Sequence, residues 1–209
     1  MTDVLLLAVI AYLSRPVVAN LVSQNQVMNT SFDPFKIVNT YGAFGSVGER
    51  RYEPVVSLST DGGNTWAELQ WPCKPGDVTR RPCFSAPYHH RLDWNIWFIG
   101  FKPHQQMLRG REQWLYAFLA KVLDQDHLAR SLLDAKTRND PALFPGPAND
   151  GAWRVAKVDM YHYEMAGSLF DILAQPADAR VWWNRTFEEV LIPPVALQEG
   201  RLALFPMGS

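Results

Sequence analysis

The stretch that decides the fold is residues 52–71, YEPVVSLSTDGGNTWAELQW. Its first eight residues are rich in β-forming side chains. Its last six alternate, which places Ala67, Leu69 and Trp71 on one face of a strand. Between these halves, residues 61–64 (DGGN) are typical of a tight hairpin turn. The stretch therefore predicts two antiparallel strands joined by a short turn.

The middle of the chain predicts helices. Aromatic residues recur there at helical spacing, and they form one stripe along a helix: Trp94, Trp97, Phe98 and Phe101. Apolar residues also occupy the other sides of this segment, so we expect a helix that is buried nearly all round. A second helix is predicted over about residues 111–124, and Asp126 is suited to cap a third.

A strand-forming pattern returns over residues 153–165. Residues 180–185 are either a short strand or the start of a helix, and Pro193-Pro194 is expected to break whatever element follows. Strands, then helices, then strands favour an α+β fold. We predict an antiparallel β-sheet or sandwich with a helical insertion at about residues 91–136.

The amino-terminal segment is apolar over residues 4–13, and Ser14-Arg15-Pro16 is expected to interrupt it. A membrane-spanning helix needs about 20 apolar residues. The segment is therefore a short buried helix, a packed terminal segment or the tail of a membrane helix, and the last of these is favoured. We predict an apolar segment over residues 1–23, followed by a single α+β domain over residues 24–209.

Composition and charge restrict the classes of function. The 209 residues carry a formal net charge of -1, which argues against a general nucleic-acid binder. The five histidines form no recognisable metal-ligand pattern, and no lipase nucleophile elbow or nucleotide-binding glycine loop is present. We predict no catalytic residues, no metal site and no cofactor.

Residues 59–66 (STDGGNTW) fit the Asp-box pattern of sialidases and related β-propellers. A propeller repeats its hairpin in every blade, whereas this box occurs once. A well-made hairpin turn is the favoured interpretation. The box and the eight tryptophans keep open an alternative, a β-rich carbohydrate-binding or glycosidase-like module.

The two cysteines, Cys73 and Cys83, flank a loop with the sequence KPGDVTRRP. This spacing matches no zinc motif. In an oxidising compartment the two would pair in a disulfide, and in the cytosol they would remain free buried thiols.

The block around these cysteines resembles the carboxy-terminal domain of the lipase maturation factor family. The resemblance rests on KPGDVTRRPC at 74–83 and RLDWNIWF at 91–98, on MNTSF at 28–32 and VNTYGAFGS at 38–46, and on YHY at 161–163 and WW at 182–183. Family members are endoplasmic-reticulum membrane proteins that help secreted lipases fold and assemble. The resemblance thus implies a non-enzymatic, lumenal domain whose partners are secreted lipases. It also implies membrane association through a multi-spanning region that this sequence does not include.

Within that resemblance, exposed aromatic and cationic side chains are the candidate contacts for a folding lipase. The candidates are Tyr41, Phe44, Arg80, Arg81 and Tyr88. Asn29 and Asn184 begin N-glycosylation sequons, which are usable only in a lumenal domain.

Overall fold

The computed structural model describes residues 2–41, 50–84, 88–101, 113–145 and 154–206. The chain divides into two compact units, residues 1–49 and 50–209. The boundary after residue 23 that the sequence suggested stays a prediction. The helices are α1 (Thr2–Leu21), α2 (Arg91–Ile99), α3 (Gln113–Leu123), α4 (His127–Ser131), α5 (Ala135–Arg138) and α6 (Leu169–Ala174). The strands are β1 (Thr30–Ser31), β2 (Asn39–Thr40), β3 (Arg51–Ser59), β4 (Ala67–Glu68), β5 (Val155–Met165), β6 (Trp183–Gln198) and β7 (Arg201–Leu204).

The first unit contains α1 and the small β1–β2 hairpin. Helix α1 runs through Pro16 without a break, so the interruption expected at residues 14–16 was wrong. Its apolar side chains are almost all exposed, and Asn20 is its one buried residue. Among the described residues, α1 is the one helix long and apolar enough to cross a membrane. The exposure of α1 does not fit the alternative of a short buried helix.

The second unit is built on one antiparallel sheet of five strands, in the order β4-β3-β5-β6-β7. The predicted hairpin is present, because Ser57 pairs with Glu68 and Leu58 pairs with Ala67. Helices α2 to α5 lie between β4 and β5 along the chain, where the helical insertion was predicted. The α+β prediction is confirmed, and of its two forms the described residues of the second unit show a single antiparallel sheet rather than a sandwich.

Alternation along β3 and β5 divides the core between the two faces of the sheet. Val56 and Leu58 belong to the larger cluster, which includes apolar side chains of α2 and α3. Val55 belongs to a smaller cluster with Tyr163 and the two buried tryptophans Trp182 and Trp183. The helices therefore cover one face, while the cysteine loop and α6 cover part of the other.

Two expectations about local structure were wrong. Strand β6 continues through Pro193 and Pro194, and its register with β5 shifts at this point, where a bulge tolerates proline. Helix α2 buries Ile96 and Ile99 and leaves its aromatic stripe partly exposed, so it is not buried all round. The exposed end of that stripe is Phe101, with 44% of its surface accessible.

Candidate functional site

The disulfide loop, residues 73–83, is the centre of the candidate site. The structure joins Cys73 and Cys83 in a disulfide, with Cα atoms 5.3 Å apart. At the start of the loop, the Cys73 amide donates a 2.7 Å hydrogen bond to Oδ2 of Asp93 on α2. The loop is thus fixed to the helix that carries the aromatic stripe.

The loop is also fixed to the sheet by hydrogen bonds to its backbone oxygens. The Tyr163 hydroxyl donates to the Gly76 oxygen at 2.8 Å, and this bond is buried. The Trp182 amide donates to the Val78 oxygen at 2.9 Å, and the indole nitrogen of Trp183 donates to the Arg80 oxygen at 2.8 Å. Since these bonds recur along the loop, the loop is a rigid surface rather than a mobile one.

A buried ion pair lies beneath the loop. Lys74 and Glu53 are both almost fully buried, and the Lys74 ammonium donates to Glu53 Oε2. Arg51 donates to Glu53 Oε1 at 2.7 Å, so one carboxylate serves two cations. Burial lowers the pKa of Lys74, and the Glu53 carboxylate opposes this effect. Burial likewise raises the pKa of Asp93, against the hydrogen bond from the Cys73 amide.

The predicted contact residues have different environments. Tyr41, in the first unit, and Tyr88, in the second, expose 81% and 69% of their surfaces. Arg81 is exposed, with its guanidinium carbon 5.9 Å from the ring centroid of Trp182. Phe44 lies outside the described residues.

Arg80 has a structural role that the sequence analysis did not foresee. Its guanidinium donates to the backbone oxygens of Trp71 and Pro72, and lies 3.6 Å from a carboxylate oxygen of Asp134. Because these bonds hold the loop against neighbouring segments, Arg80 positions the surface on which Arg81 is presented.

Some site residues could not be selected from the sequence. Phe84 directly follows the disulfide loop and is a large apolar side chain that is 89% exposed. The Lys74–Glu53 pair joins positions 21 residues apart, and no spacing rule relates them.

Both sequon residues, Asn29 and Asn184, are exposed.

The Asp-box forms a hairpin turn. Asp61 Oδ1 accepts from the Thr65 amide at 2.9 Å, and Oδ2 accepts from the Thr65 hydroxyl at 2.7 Å. The Thr65 amide and hydroxyl, with the Ser59 hydroxyl, lower the pKa of Asp61 to about 2. Gly62 and Gly63 have φ values of 71° and 95°, the conformation that favours glycine. All of these contacts are internal to the turn.

A pocket of about 450 Å³ lies beside the start of β4, and its walls include Trp66 and three carboxylates, Glu68, Asp77 and Asp140. Arg185 donates to both oxygens of Glu68, at 2.8 and 2.7 Å. Asp77 accepts from the amide and hydroxyl of Thr79, which lowers its pKa. Glu68 and Asp77 are therefore both bound within local structure, and the lowered pKa of Asp77 disfavours that residue as a general acid. No metal-binding group of three or more ligands occurs among the described side chains.

Comparison with known proteins gives a consistent result. A family model described as the lipase maturation factor C-terminal domain matches residues 37–193. The chain is 36% identical over 197 residues to lipase maturation factor 1 of Bos taurus and 37% identical over 198 residues to that of Homo sapiens. It is 27% identical over 174 residues to lipase maturation factor 2 of Rattus norvegicus.

These alignments cover most of this chain and a minor part of each relative. The first two cover 92% of this chain and 32% of the relative, and the third covers 83% and 22%. The chain therefore spans about a third of the length of the most similar of these relatives. No solved structure matches the chain.

Proposed function

Because this chain belongs to the lipase maturation factor family, we propose that it is a non-enzymatic domain that assists the folding and assembly of secreted lipases. The family match supports a role in lipase maturation. We infer the role of this domain from its surface, where exposed aromatic side chains follow the disulfide-bonded loop along the chain. In this role the domain would hold an incompletely folded lipase by its exposed apolar segments, without changing any covalent bond.

The observation that carries the proposal is the exposure of aromatic residues that follow the disulfide along the chain. Phe84 and Tyr88 expose 89% and 69% of their surfaces, and Phe101 exposes 44%. Exposed apolar side chains of this size are candidates for contact with a partner. Aromatic side chains and arginine also dominate the energetics of protein interfaces. We call Arg81, Phe84 and Tyr88 the contact patch.

We further propose that the domain lies in the lumen of the endoplasmic reticulum and is attached to the membrane. The disulfide supports an oxidising compartment. Helix α1 supports membrane attachment by its length and apolar composition. A lumenal position would also allow glycans on Asn29 and Asn184, both of which are exposed.

The test is rescue of lipase maturation in cells that lack their own maturation factor. The full chain, joined to a membrane anchor, is co-expressed with a secreted dimeric lipase, and secreted activity is measured per unit of lipase mass. We expect rescue by the wild type. The double substitution Phe84→Ala with Tyr88→Ala should lower it about fivefold or more, since contact residues of this kind contribute more than about 1 kcal/mol each.

The matched control is Leu128→Ala on α4, which removes another exposed apolar side chain, one with 63% of its surface accessible. It should leave rescue unchanged at equal expression. Absence of rescue by the well-folded wild type would contradict the role in lipase maturation. Equal loss from the patch variant and the Leu128 control would contradict the assignment of the patch.

A further inference from the structure

A pocket of about 260 Å³ lies between the disulfide loop, α2 and the start of β6. Its walls include the cations Arg51, Lys74 and Arg81 and the tryptophans Trp94, Trp97 and Trp183. The loop side of this pocket is fixed by the disulfide and by the Trp183 indole bond to the Arg80 oxygen. The pocket is therefore formed before any partner arrives, which reduces the entropy lost on binding.

The charges at the pocket are not balanced. Arg51, Lys74 and Arg81 line it, and no carboxylate of the described residues does so. The nearby carboxylates Glu53 and Asp93 are fully buried behind the wall. Three cations against two carboxylates leave one positive charge. Arg81 is exposed, and no described carboxylate forms a salt bridge with it, whereas Arg51 and Lys74 are both paired with Glu53.

The remaining walls are aromatic. Trp94 and Trp97 pack against each other with ring centroids 5.4 Å apart, and His89 meets Trp94 edge-on at 5.2 Å. Trp183 lies on the opposite element, with the Arg51 guanidinium carbon 5.7 Å from its ring centroid. The volume is below the range of about 300–1,000 Å³ that is typical of sites for drug-sized molecules. It suits a group the size of an amino-acid side chain.

We propose that this pocket binds a carboxylate side chain from an acidic peptide segment of the partner, with an adjacent apolar side chain against Trp94 and Trp97. Arg81 donates to the carboxylate, because a guanidinium matches the planar carboxylate with two parallel hydrogen bonds. The inference rests on the proposed function in one respect, because a folding lipase is taken as the natural source of the peptide. The specificity it adds is for acidic residues flanked by aromatic or aliphatic ones.

The test is binding of a labelled peptide to the full 209-residue chain in non-ionic detergent, followed by fluorescence anisotropy. The probe contains Glu-Phe-Glu at its centre, and the reference peptide has Gln in place of each Glu. We expect the acidic peptide to bind about tenfold tighter or more, a ratio that corresponds to about 1.4 kcal/mol. Arg81→Gln should abolish this preference. Arg201→Gln, which removes an exposed cation on β7, should retain it.

Two competitors separate the possible sources of the anion. N-acetylglutamate supplies carboxylates, and glycerophosphoglycerol supplies the headgroup of an anionic lipid with a phosphodiester and no carboxylate. We expect N-acetylglutamate to displace the peptide at the lower concentration, and the reverse order would overturn the assignment to a peptide. Equal binding of the two peptides, or equal effects of the Arg81 and Arg201 substitutions, would overturn the carboxylate site itself. Neither result bears on rescue of lipase activity, which tests the proposed function separately.

Discussion

Replacing Glu53 by glutamine should destabilise the domain more than any other single change to the charged group beneath the disulfide loop. Glu53 and Lys74 have side chains that are 1% and 3% exposed, so Glu53→Gln leaves the Lys74 ammonium buried without its ion-pair partner. Removing one partner of a buried pair costs about 3–5 kcal/mol. Lys74→Met should cost less, about 1.5–3 kcal/mol, because Glu53 keeps its 2.7 Å bond from Arg51.

The double variant Glu53→Gln with Lys74→Met provides the decisive comparison. It buries no unpaired charge, so its loss should be smaller than the sum of the two single losses by about 1 kcal/mol or more. The assay is urea unfolding of the full chain in non-ionic detergent, followed by tryptophan fluorescence. Additive losses would refute the reasoning, as would a Lys74→Met loss equal to or larger than the Glu53→Gln loss.

Three further predictions concern stability. Cys83→Ser opens a loop with a sequence separation of 10 and should cost about 2–3 kcal/mol, measured as a lower urea midpoint under non-reducing conditions. Gly100→Ala would place its Cβ against the backbone oxygen of Tyr52 and should lower the free energy of unfolding by about 1–3 kcal/mol. The control Gly167→Ala, whose Cβ has ordinary contacts, should leave thermal unfolding nearly unchanged. Asp61 has a folded-state pKa of about 2, below its ordinary value of 3.8. Its contribution to the stability of the fold is therefore present above pH 3.8 and is lost as the pH falls toward 2. Asp61→Asn should reduce this loss in urea midpoints measured across that pH range, and an unchanged pH dependence would contradict the prediction.

Features fixed by neighbouring residues were predictable from the sequence. The hairpin at residues 59–66 was predicted because its turn residues satisfy one another locally. Asp126 was predicted as a helix cap for the same reason, and it accepts from the Ala129 amide at 2.9 Å. The helical insertion followed from periodicity, which depends on positions three and four residues apart.

Features that depend on distant contacts were not predictable. Periodicity located the aromatic stripe of α2 but could not show that Ile96 and Ile99, rather than the tryptophans, face the sheet. Arg80 and Arg81 are adjacent and identical in chemistry, yet one binds backbone oxygens and the other is exposed. Their difference arises from the path of the disulfide loop over the sheet, which no local pattern encodes.

The most direct test of the central claim is site-specific photocrosslinking in cells that make the membrane-anchored chain and a secreted lipase. A photoreactive phenylalanine analogue replaces Tyr88, in the contact patch, or Leu128 on α4 as the control. The account predicts a crosslink to newly made, inactive lipase from position 88 and none from position 128. Crosslinks of equal yield from both positions, or none from position 88 in cells where the chain restores lipase activity, would contradict it.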